Sequence, residues 1–453
     1  MYHIGINYYG HDTSCCLFKN DKLVFAIEEE RLSRKKHDGS IPLLSLNYIK
    51  DKFKLNNKNV KSINFATIPE RLVNKKYIEL FLKYETELND MFSSELNLNK
   101  INYLLNVRKI LKNKINFKKE FKFYHHHLCH QYAAFYLSGF NSAACLSIDG
   151  LGEIESTCLG HAKKNSIKII ESTNFPHSLG EVYSAITDFL GYKVDSGEGT
   201  VMALAALGNR KQKIKHINKT YEEIFKEIIK IKNSKFHINL DWFTYWRNRS
   251  NIRVSEKFLK VFGMKRKKNK KLNQNYKNIA AALQFRFQEA YIQTIKRLLE
   301  KTKEKNLVLS GGCALNCKAN GMIEKNLNLK NIYIQPAAGD NGLAVGAAYL
   351  GYLNYTKKKS FIRKKINHSY FGPEYNDKNI LEILNKHKKI IQFKYFRNIE
   401  KITAKYLAEK KIIGWFQGKM EFGPRALGNR SILASPTDIK IKNRLNLKVK
   451  KRE

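Results

Sequence analysis

The sequence predicts an α/β fold in which one arrangement of strands occurs twice. Residues 2–27 read as an apolar strand, a turn that contains Asp12, and a hairpin of two further strands. A similar pattern returns at 143–160, where a buried-looking strand is followed by a turn at Asp149 and by another strand. Paired hairpins of this kind are typical of two-lobed nucleotide-binding folds, so the repeat indicates an internal duplication.

The remaining segments divide the chain into two predicted domains. After the second hairpin, helices and strands alternate as expected for a largely parallel core, at 276–300, 306–309, 332–335 and 342–352. We predict a first domain at 1–355, with a helical and aromatic insertion at about 210–275 that either shapes a substrate pocket or simply packs. A basic linker at 355–367 then leads to a second unit at 368–453.

Composition and charge limit the class of protein. Hydrophobic residues make up 43% of the chain, enough to build real cores. The formal charge of +43 invites a nucleic-acid partner, but Lys is spread along the whole chain with no nucleic-acid motif, so we do not favour one. The seven Cys contain no C-x-x-C pair and no apolar run is long enough to cross a membrane. We therefore expect a cytoplasmic protein with reduced thiols, and the sequence is compatible with a homodimer.

A run of histidines opens a predicted helix at 124–140. Helical spacing places positions i and i+4 on one face, and within this run only His126 and His130 form a pair of imidazoles in that way. Such a pair suits Zn²⁺ or Fe²⁺ but needs a third ligand, usually a carboxylate. Asp340 is a candidate, although an ordinary helix cap is an equal alternative for it.

Several turns could hold phosphates or anionic substrates. Gly311 and Gly312 follow a strand and allow backbone N–H groups to approach a nucleotide, while Asn316 can bind it or cap the next turn. Asp12 and Asp149 are either acids near bound phosphate or ordinary turn residues. The Glu28-Glu29-Glu30-Arg31 segment leads to Lys36 and His37, which can reach an anionic substrate; the segment itself can also be a charged strand exit.

The densest motif lies in the second predicted domain, at 414–436. It combines loop-forming Gly and Pro with Gln417, Arg425, Arg430 and Ser431. Each guanidinium can bind phosphate through two parallel hydrogen bonds, which Lys cannot do. The motif therefore predicts an anion site.

Read together, these motifs resemble those of the O-carbamoyltransferases of antibiotic and nodulation-factor modification. The resemblance extends over nearly the whole chain and rests on the motifs Gly10-His11-Asp12, Glu28-Glu29-Glu30-Arg31, His126 to His130, Asp149-Gly150-Leu151-Gly152-Glu153, Glu198-Gly199-Thr200-Val201-Met202, Ser310-Gly311-Gly312, Gly339-Asp340-Asn341-Gly342 and Glu421 to Ser431. It implies a duplicated, two-lobed first domain of the actin and sugar-kinase type, followed by an incomplete α/β domain similar to YrdC.

The resemblance also implies a reaction. The second domain would use carbamoyl phosphate and ATP, with Mg²⁺, to make carbamoyl-adenylate, and the first domain would transfer the carbamoyl group to an acceptor hydroxyl of a sugar or secondary metabolite. The small molecules ATP, carbamoyl phosphate and the acceptor are thus the expected partners.

Site residues follow from the same resemblance. Iron (Fe²⁺) or another divalent metal would be held by His126, His130 and Asp340. The adenylate would be bound by Asp149, Gly150, Gly311, Gly312 and Asn316. Carbamoyl phosphate and ATP phosphates would contact Gln417, Arg425, Arg430 and Ser431. Asp12 is the expected group that orients or deprotonates the acceptor hydroxyl, helped by His11, Lys36 and His37.

The chain departs from the family pattern in two ways. Thr200 and Ala203 stand where family members commonly have Lys and Gly, and family members continue beyond the last residue by about half a domain. We therefore hypothesise a C-terminally truncated chain. Three alternatives remain open at this point: a transferase that makes threonylcarbamoyladenosine in tRNA, a non-catalytic remnant that binds nucleotide and metal, and a sugar kinase, for which the paired histidines have no role.

Overall fold

A computed structural model describes residues 1–8, 10–72, 106, 109–110, 112–115, 117–246, 253–268, 270–357 and 365–451. The described strands are, in chain order, β1 (Tyr2–Asn7), β2 (Ser14–Lys19), β3 (Lys22–Glu28), β4 (Val60–Phe65), β5 (Phe121–Phe123), β6 (Ser142–Ile148), β7 (Glu155–Lys163), β8 (Ser166–Asn174), β9 (Lys213–Ile214), β10 (Lys219–Thr220), β11 (Ile229–Lys232), β12 (Lys235–Ile238), β13 (Asn306–Ser310), β14 (Asn331–Ile334), β15 (Ile413–Phe416) and β16 (Arg430–Leu433).

The described α-helices are α1 (Glu30–Ser33), α2 (Leu43–Lys52), α3 (Pro69–Leu72), α4 (His126–Ser138), α5 (Leu179–Phe189), α6 (Glu198–Leu204), α7 (Tyr221–Ile228), α8 (Glu256–Phe262), α9 (Gln274–Thr302), α10 (Cys317–Asn320), α11 (Ile323–Asn326), α12 (Leu343–Thr356), α13 (Asp377–Lys386), α14 (Ile399–Ala408) and α15 (Ile441–Arg444). The chain forms two compact units, 1–367 and 368–453. Most of the expected basic linker lies outside the described residues.

Two five-stranded sheets in the first unit have the same topology. The first sheet has the order β3-β2-β1-β4-β5, and the second has the order β8-β7-β6-β13-β14. In each sheet the first three strands form an antiparallel meander, and the last two run parallel to the central strand. The predicted duplicated α/β fold of the actin and sugar-kinase type is confirmed by this repeated order.

Two helices lie between the sheets, and each packs on the sheet to which its preceding strand does not belong. Helix α4 follows β5 but packs on the second sheet, whereas α12 follows β14 and packs on the first sheet, and the two helices pack against each other. Their backbones approach closely, because a Cβ at Gly346 would lie 1.9 Å from the carbonyl oxygen of Cys129. The residues before these helices are therefore brought to one place between the sheets.

The insertion belongs to the core of the second sheet. Four aromatic residues of the insertion are buried in one apolar cluster with α5 and α9, namely Trp242, Phe243, Tyr245 and Trp246. Burying these rings stabilises the fold through a large apolar area. The alternative role of simple packing therefore describes these four side chains, and a role of the insertion in shaping a substrate pocket stays a prediction.

The second unit combines two helices with a small hairpin. Strands β15 and β16 pair antiparallel, with Trp415 opposite Ser431 and Phe416 opposite Arg430. Among the described residues of this unit, Phe371 and Phe422 are its buried hydrophobic side chains. Its apolar core is small relative to the cores of the first unit.

Candidate metal centre and active-site cleft

The histidine helix begins on a buried carboxylate. Helix α4 starts at His126, whose backbone N–H donates to Glu153 Oε1 at 3.0 Å. Glu153 is fully buried and also accepts from the backbone N–H of Ile68 at 3.0 Å. A negative group at a helix N-terminus stabilises the unpaired N–H groups there. Glu153 thus fixes the start of the helix that carries the paired imidazoles.

Four side chains converge where the two central helices begin. Their ligand atoms all lie within 4.8 Å of one another and belong to His126, His130, Asp149 and Asp340. His130 Nε2 is 2.8 Å from Asp149 Oδ2 and 3.4 Å from Asp340 Oδ1. His126 Nε2 is 3.8 Å and 3.7 Å from the same two oxygens. The three residues expected to hold a metal are together, and Asp149, expected at the nucleotide, lies among them.

The cluster fits a divalent cation. His126 Nε2 is buried and has no hydrogen-bond partner in the part of the chain that the structure describes, although two carboxylate oxygens lie just beyond hydrogen-bond distance. Burial alone would lower the pKa of His130, but the Asp149 and Asp340 carboxylates outweigh it and raise that pKa to about 9. Two imidazoles and two carboxylates form a donor set that suits Fe²⁺ or Zn²⁺. A divalent ion would satisfy the unpartnered nitrogen and both carboxylates.

A second polar group lies just before the start of β2. Asp12 has a left-handed backbone (φ 54°), and its two oxygens contact His11 Nδ1 at 2.9 Å and His37 Nδ1 at 2.7 Å. Burial would raise the pKa of Asp12, but these two imidazoles hold it well below its usual range. His37 Nε2 is buried without a partner, whereas the His11 side chain is 41% exposed. Lys36 is exposed beside this group.

The charges of the two groups act on each other. Burial would lower the pKa of His11, but its hydrogen bond to Asp12 and the charges of Asp340 and Asp195 raise it well above its usual value. Asp340 is one of the four clustered residues, and Asp195 precedes α6. The negative charge of Asp340 in the cluster therefore stabilises the protonated form of His11 in the group around Asp12.

The two glycine turns lie against each other. Gly311 has a positive φ of 86°, and a Cβ there would lie 2.1 Å from the carbonyl oxygen of Ile148, so only glycine fits. A Cβ at Gly312 would lie 3.2 Å from Asp149 Oδ1, and the Gly150 N–H donates to that same oxygen at 2.8 Å. The predicted nucleotide turns thus flank Asp149 from both sides.

The side chain of Asn316 hydrogen-bonds to Gln284 and Ala319 and not to these turns. Its amide forms a reciprocal pair with Gln284, with both N···O distances 3.0 Å, and its oxygen accepts from the N–H of Ala319 to cap α10. Of the two roles considered for Asn316, the cap is the one seen.

Sequence reasoning missed three residues that line this region. Glu181, near the start of α5, is buried beside Gly150 and lies 3.3 Å from Arg253 of the insertion. Glu198 begins α6, where burial and the charge of Asp195 raise its pKa. The Glu198-Gly199-Thr200 motif was a usable signal for Glu198. No local pattern distinguishes Arg253 from the other basic residues of the insertion.

In the second unit, a buried carboxylate organises the predicted anion loop. Glu421 Oε1 accepts from the N–H groups of Leu427 at 2.7 Å and Asn429 at 2.8 Å, and Oε2 lies 3.8 Å from Arg430 Nε. Burial would raise the pKa of Glu421, but these N–H groups and the Arg430 charge lower it. The loop is therefore held in one shape around an internal anion.

The four residues expected to bind phosphate lie around this loop. The Ser431 hydroxyl accepts from the Gly428 N–H at 3.2 Å, and Gln417 Nε2 donates to the Gly428 carbonyl at 3.3 Å. Arg425 is exposed, while Arg430 is partly buried next to Glu421. Arg425 thus presents its guanidinium to solvent, and Arg430 is engaged within the loop.

The fold and the cluster define a two-lobed α/β protein with a candidate metal centre between its sheets. The chain belongs to the carbamoyltransferase family. Residues 2–349 match the family model described as "Carbamoyltransferase N-terminus", and residues 404–453 match "Carbamoyltransferase C-terminus".

Three relatives illustrate the range of the family. An uncharacterised protein of Synechocystis is 34% identical over 100% of this chain and 74% of its own length. The nodulation protein NolNO of Sinorhizobium fredii is 28% identical over 99% of this chain and 62% of its own length. The 3'-hydroxymethylcephem-O-carbamoyltransferase of Streptomyces clavuligerus is 29% identical over 38% of this chain and 31% of its own length.

These matches confirm the resemblance drawn from the motifs. The protein is an enzyme of the carbamoyltransferase class. Within the part of the chain that the structure describes, no helix has the length and apolarity needed to span a membrane.

Proposed function

We propose that this protein transfers a carbamoyl group from carbamoyl phosphate, through an ATP-derived carbamoyl-adenylate, to the hydroxyl of a sugar or secondary metabolite. Membership of the carbamoyltransferase family supports the reaction class. The name of the cephem relative supports a hydroxyl as the acceptor. In this proposal residues 1–355 carry out the transfer and residues 368–453 form the adenylate.

One observation carries the proposal. Among the described residues, His126 Nε2 is buried without a hydrogen-bond partner beside His130, Asp149 and Asp340, and the hydrogen bond from Ser14 to the Asn341 carbonyl links this cluster to the segment that carries Asp12. A metal-binding site together with an imidazole–carboxylate group suits the attack of a hydroxyl on an activated carbonyl. A sugar kinase has no need of the paired imidazoles.

The cluster would hold Fe²⁺ or another divalent ion through two imidazole nitrogens and two carboxylate oxygens. Such an ion, when bound, supplies Lewis-acid stabilisation of negative charge on a carbonyl or phosphate oxygen. The backbone N–H groups of the turns at Gly150 and Gly311 are suited to hold the adenylate phosphate.

The acceptor proton is handled by the group around Asp12. Both Asp12 oxygens are occupied by imidazole Nδ1 atoms, so the carboxylate orients His11 and His37 rather than acting alone. His11, the more exposed imidazole, receives the proton at Nε2 when its ring is neutral, a form that its raised pKa restricts to higher pH. The acceptor oxygen then bonds to the carbamoyl carbon, the bond from that carbon to the phosphate oxygen breaks, and AMP leaves. The carbamate ester and a protonated imidazole remain.

The second unit would form the adenylate. Arg425 and Arg430, with Gln417 and Ser431, are suited to bind carbamoyl phosphate and the ATP phosphates, with Mg²⁺ on the nucleotide. Attack of carbamate on the α-phosphorus forms carbamoyl-adenylate and releases pyrophosphate. The carbamate comes from carbamoyl phosphate, whose bond between the carbamoyl group and phosphate is cleaved by water with release of phosphate.

Pyrophosphate release from ATP tests this proposal. We expect release that depends on added carbamoyl phosphate, is lost in Arg425→Ala and is kept in Arg397→Ala, which removes an exposed Arg outside the motif. With labelled carbamoyl phosphate and a panel of hydroxyl acceptors, Asp12→Asn should lose carbamoyl transfer but keep pyrophosphate release. Release that needs no carbamoyl phosphate, or that survives in Arg425→Ala, contradicts the proposal.

A further inference from the structure

Three consecutive carboxylates at the end of β3 bind three different parts of the chain. Glu29 accepts from the N–H groups of Leu44 and Ser45, both at 2.9 Å, at the start of α2. Glu30 accepts from the N–H of His37 at 2.7 Å. Glu28 reaches the loop between β14 and α12 instead. The motif is therefore not simply a charged strand exit, because each of these carboxylates has its own partners.

The partner of Glu28 is Asn341, the residue that follows Asp340. Asn341 Nδ2 donates to Glu28 Oε1 at 3.1 Å, and the Ser14 hydroxyl donates to the Asn341 carbonyl oxygen at 2.7 Å. Ser14 and Glu28 face each other across the β2–β3 hairpin. The three residues are buried, with 0%, 2% and 6% exposure for Ser14, Glu28 and Asn341. We name this set the Ser14–Glu28–Asn341 bridge.

The bridge connects the Asp12 group to the metal cluster through short stretches of chain. Asp12 lies two residues before Ser14, and Asp340 is adjacent to Asn341. On the other side of Glu28, Arg31 Nε lies 3.5 Å from Oε2, which gives the buried carboxylate a positive partner. A shift of the Asn341 loop would move the Asp340 carboxylate relative to His126, His130 and the Asp12 group.

We propose that Glu28 and Asn341 are positioning residues that fix the Asp340 carboxylate in the metal cluster and set its distance from the Asp12 group. This inference rests on the proposed metal site. Partners outside the ligand set commonly change metal affinity by about 10–100-fold when they are removed, because they orient the ligands. Glu28 would act on a bound metal through Asn341 and the backbone of Asp340.

Cobalt binding by the full-length, metal-free protein tests the bridge, since the visible absorption of Co²⁺ reports its ligands. We expect Glu28→Ala to weaken Co²⁺ binding by about tenfold or more and to change the absorption band. Glu28→Gln keeps an oxygen that accepts from Asn341, so its affinity should stay within about threefold of the wild type. Glu29→Ala is the matched control: it removes a neighbouring buried carboxylate and a helix cap, and should lower the melting temperature without changing Co²⁺ binding.

Hydrogen exchange provides a readout that needs no metal. The backbone amides of residues 339–343 should exchange faster in Glu28→Ala, but not in Glu28→Gln or Glu29→Ala. Unchanged Co²⁺ binding in Glu28→Ala, or equal weakening in Glu29→Ala, would overturn the inference. If the wild type binds no Co²⁺, the metal proposal fails, and equal exchange in all variants would then overturn the bridge as well.

Discussion

At the scale of single residues, the proposed metal site depends on one nitrogen that has no hydrogen-bond partner among the described residues. His126 Nε2 is buried, and the two nearest carboxylate oxygens are 3.7 and 3.8 Å away. An unsatisfied buried polar atom is costly, so its persistence indicates a ligand that completes it. The helical spacing of His126 and His130 could be read from the sequence, whereas the approach of Asp149 depends on how β6 packs against α4.

We expect His126→Ala to remove most of the bound metal, because it deletes one of four ligands and leaves the site with one imidazole. The loss of affinity should be at least about tenfold, the lower end of the effect of removing even an indirect partner. Metal analysis after gel filtration measures it. His161→Ala is the control, since His161 pairs with Glu304 at 2.8 Å and lies outside the cluster. Equal metal content in the two variants would refute the four-ligand site.

The Asp12 group predicts a defined pH dependence of stability. The folded-state pKa of Asp12 is lowered, so its contribution exists above its unfolded value of 3.8 and is lost as pH falls through the folded value. The folded-state pKa of His11 is raised, so its contribution is complete below the unfolded value of 6.5 and is lost as pH rises through the folded value. Both contributions are therefore fully present between the unfolded pKa of Asp12, 3.8, and the unfolded pKa of His11, 6.5.

Asp12→Asn should therefore destabilise the metal-free protein most within that window. We expect a loss of about 1–2 kcal/mol in the free energy of unfolding near about pH 5.5, and a smaller loss at about pH 9. Urea denaturation at several pH values measures the difference. Asp51→Asn, at an exposed helix position, should show no such dependence. A loss that is constant with pH would mean that the group contributes through packing rather than charge.

At the scale of elements, the close approach of α12 to its neighbours fixes where the ligands meet. A Cβ at Gly346 would lie 1.9 Å from the carbonyl oxygen of Cys129 in α4, and a Cβ at Gly5 would lie 1.9 Å from that of Ala344. Helix α12 is thus held between α4 and β1. Asp340 precedes α12, and His126 and His130 lie on α4, so the helix spacing also sets the ligand spacing.

Gly346→Ala should destabilise the protein by about 3 kcal/mol, since the added methyl group has no space between two backbones. It should also weaken metal binding by separating the helices. Gly321→Ala is the control, because its nearest atom is 3.4 Å away and its backbone is helical (φ −65°), so we expect a change within about 1 kcal/mol. Urea denaturation and Co²⁺ titration measure the two effects. A Gly346→Ala protein as stable as Gly321→Ala would contradict this packing.

The sequence allowed the elements to be predicted better than their contacts. Alternation of apolar residues and acidic turns predicted the hairpins at 2–27 and 143–160, and both sheets contain them. For the aromatic segment at Trp242 the sequence left a substrate pocket and simple packing open, since a cluster of aromatic residues has the same local pattern in either role, and the segment is buried in the core. The pairing of Glu28 with Asn341 spans 313 positions, and no local periodicity encodes such a contact.

At the scale of the whole molecule, the two units differ in how much apolar surface they bury. The first unit contains extended clusters around both sheets, whereas Phe371 and Phe422 are the buried hydrophobic side chains among the described residues of the second. Hydrophobic burial is the dominant favourable contribution to folding, at about 25 cal/mol per Å². The second unit should therefore have the lower stability.

Tryptophan fluorescence can measure this difference directly, because the chain has three Trp: Trp242 and Trp246 are buried in the first unit, and Trp415 lies on β15 in the second. We expect urea unfolding of the full chain to show an early transition that disappears in Trp415→Phe, and a later one that remains. Trp415 is only partly buried, so its replacement by Phe should change the later midpoint little. A single transition with the same midpoint in both proteins would show that the two units unfold together, and that the small core of the second unit does not limit its stability.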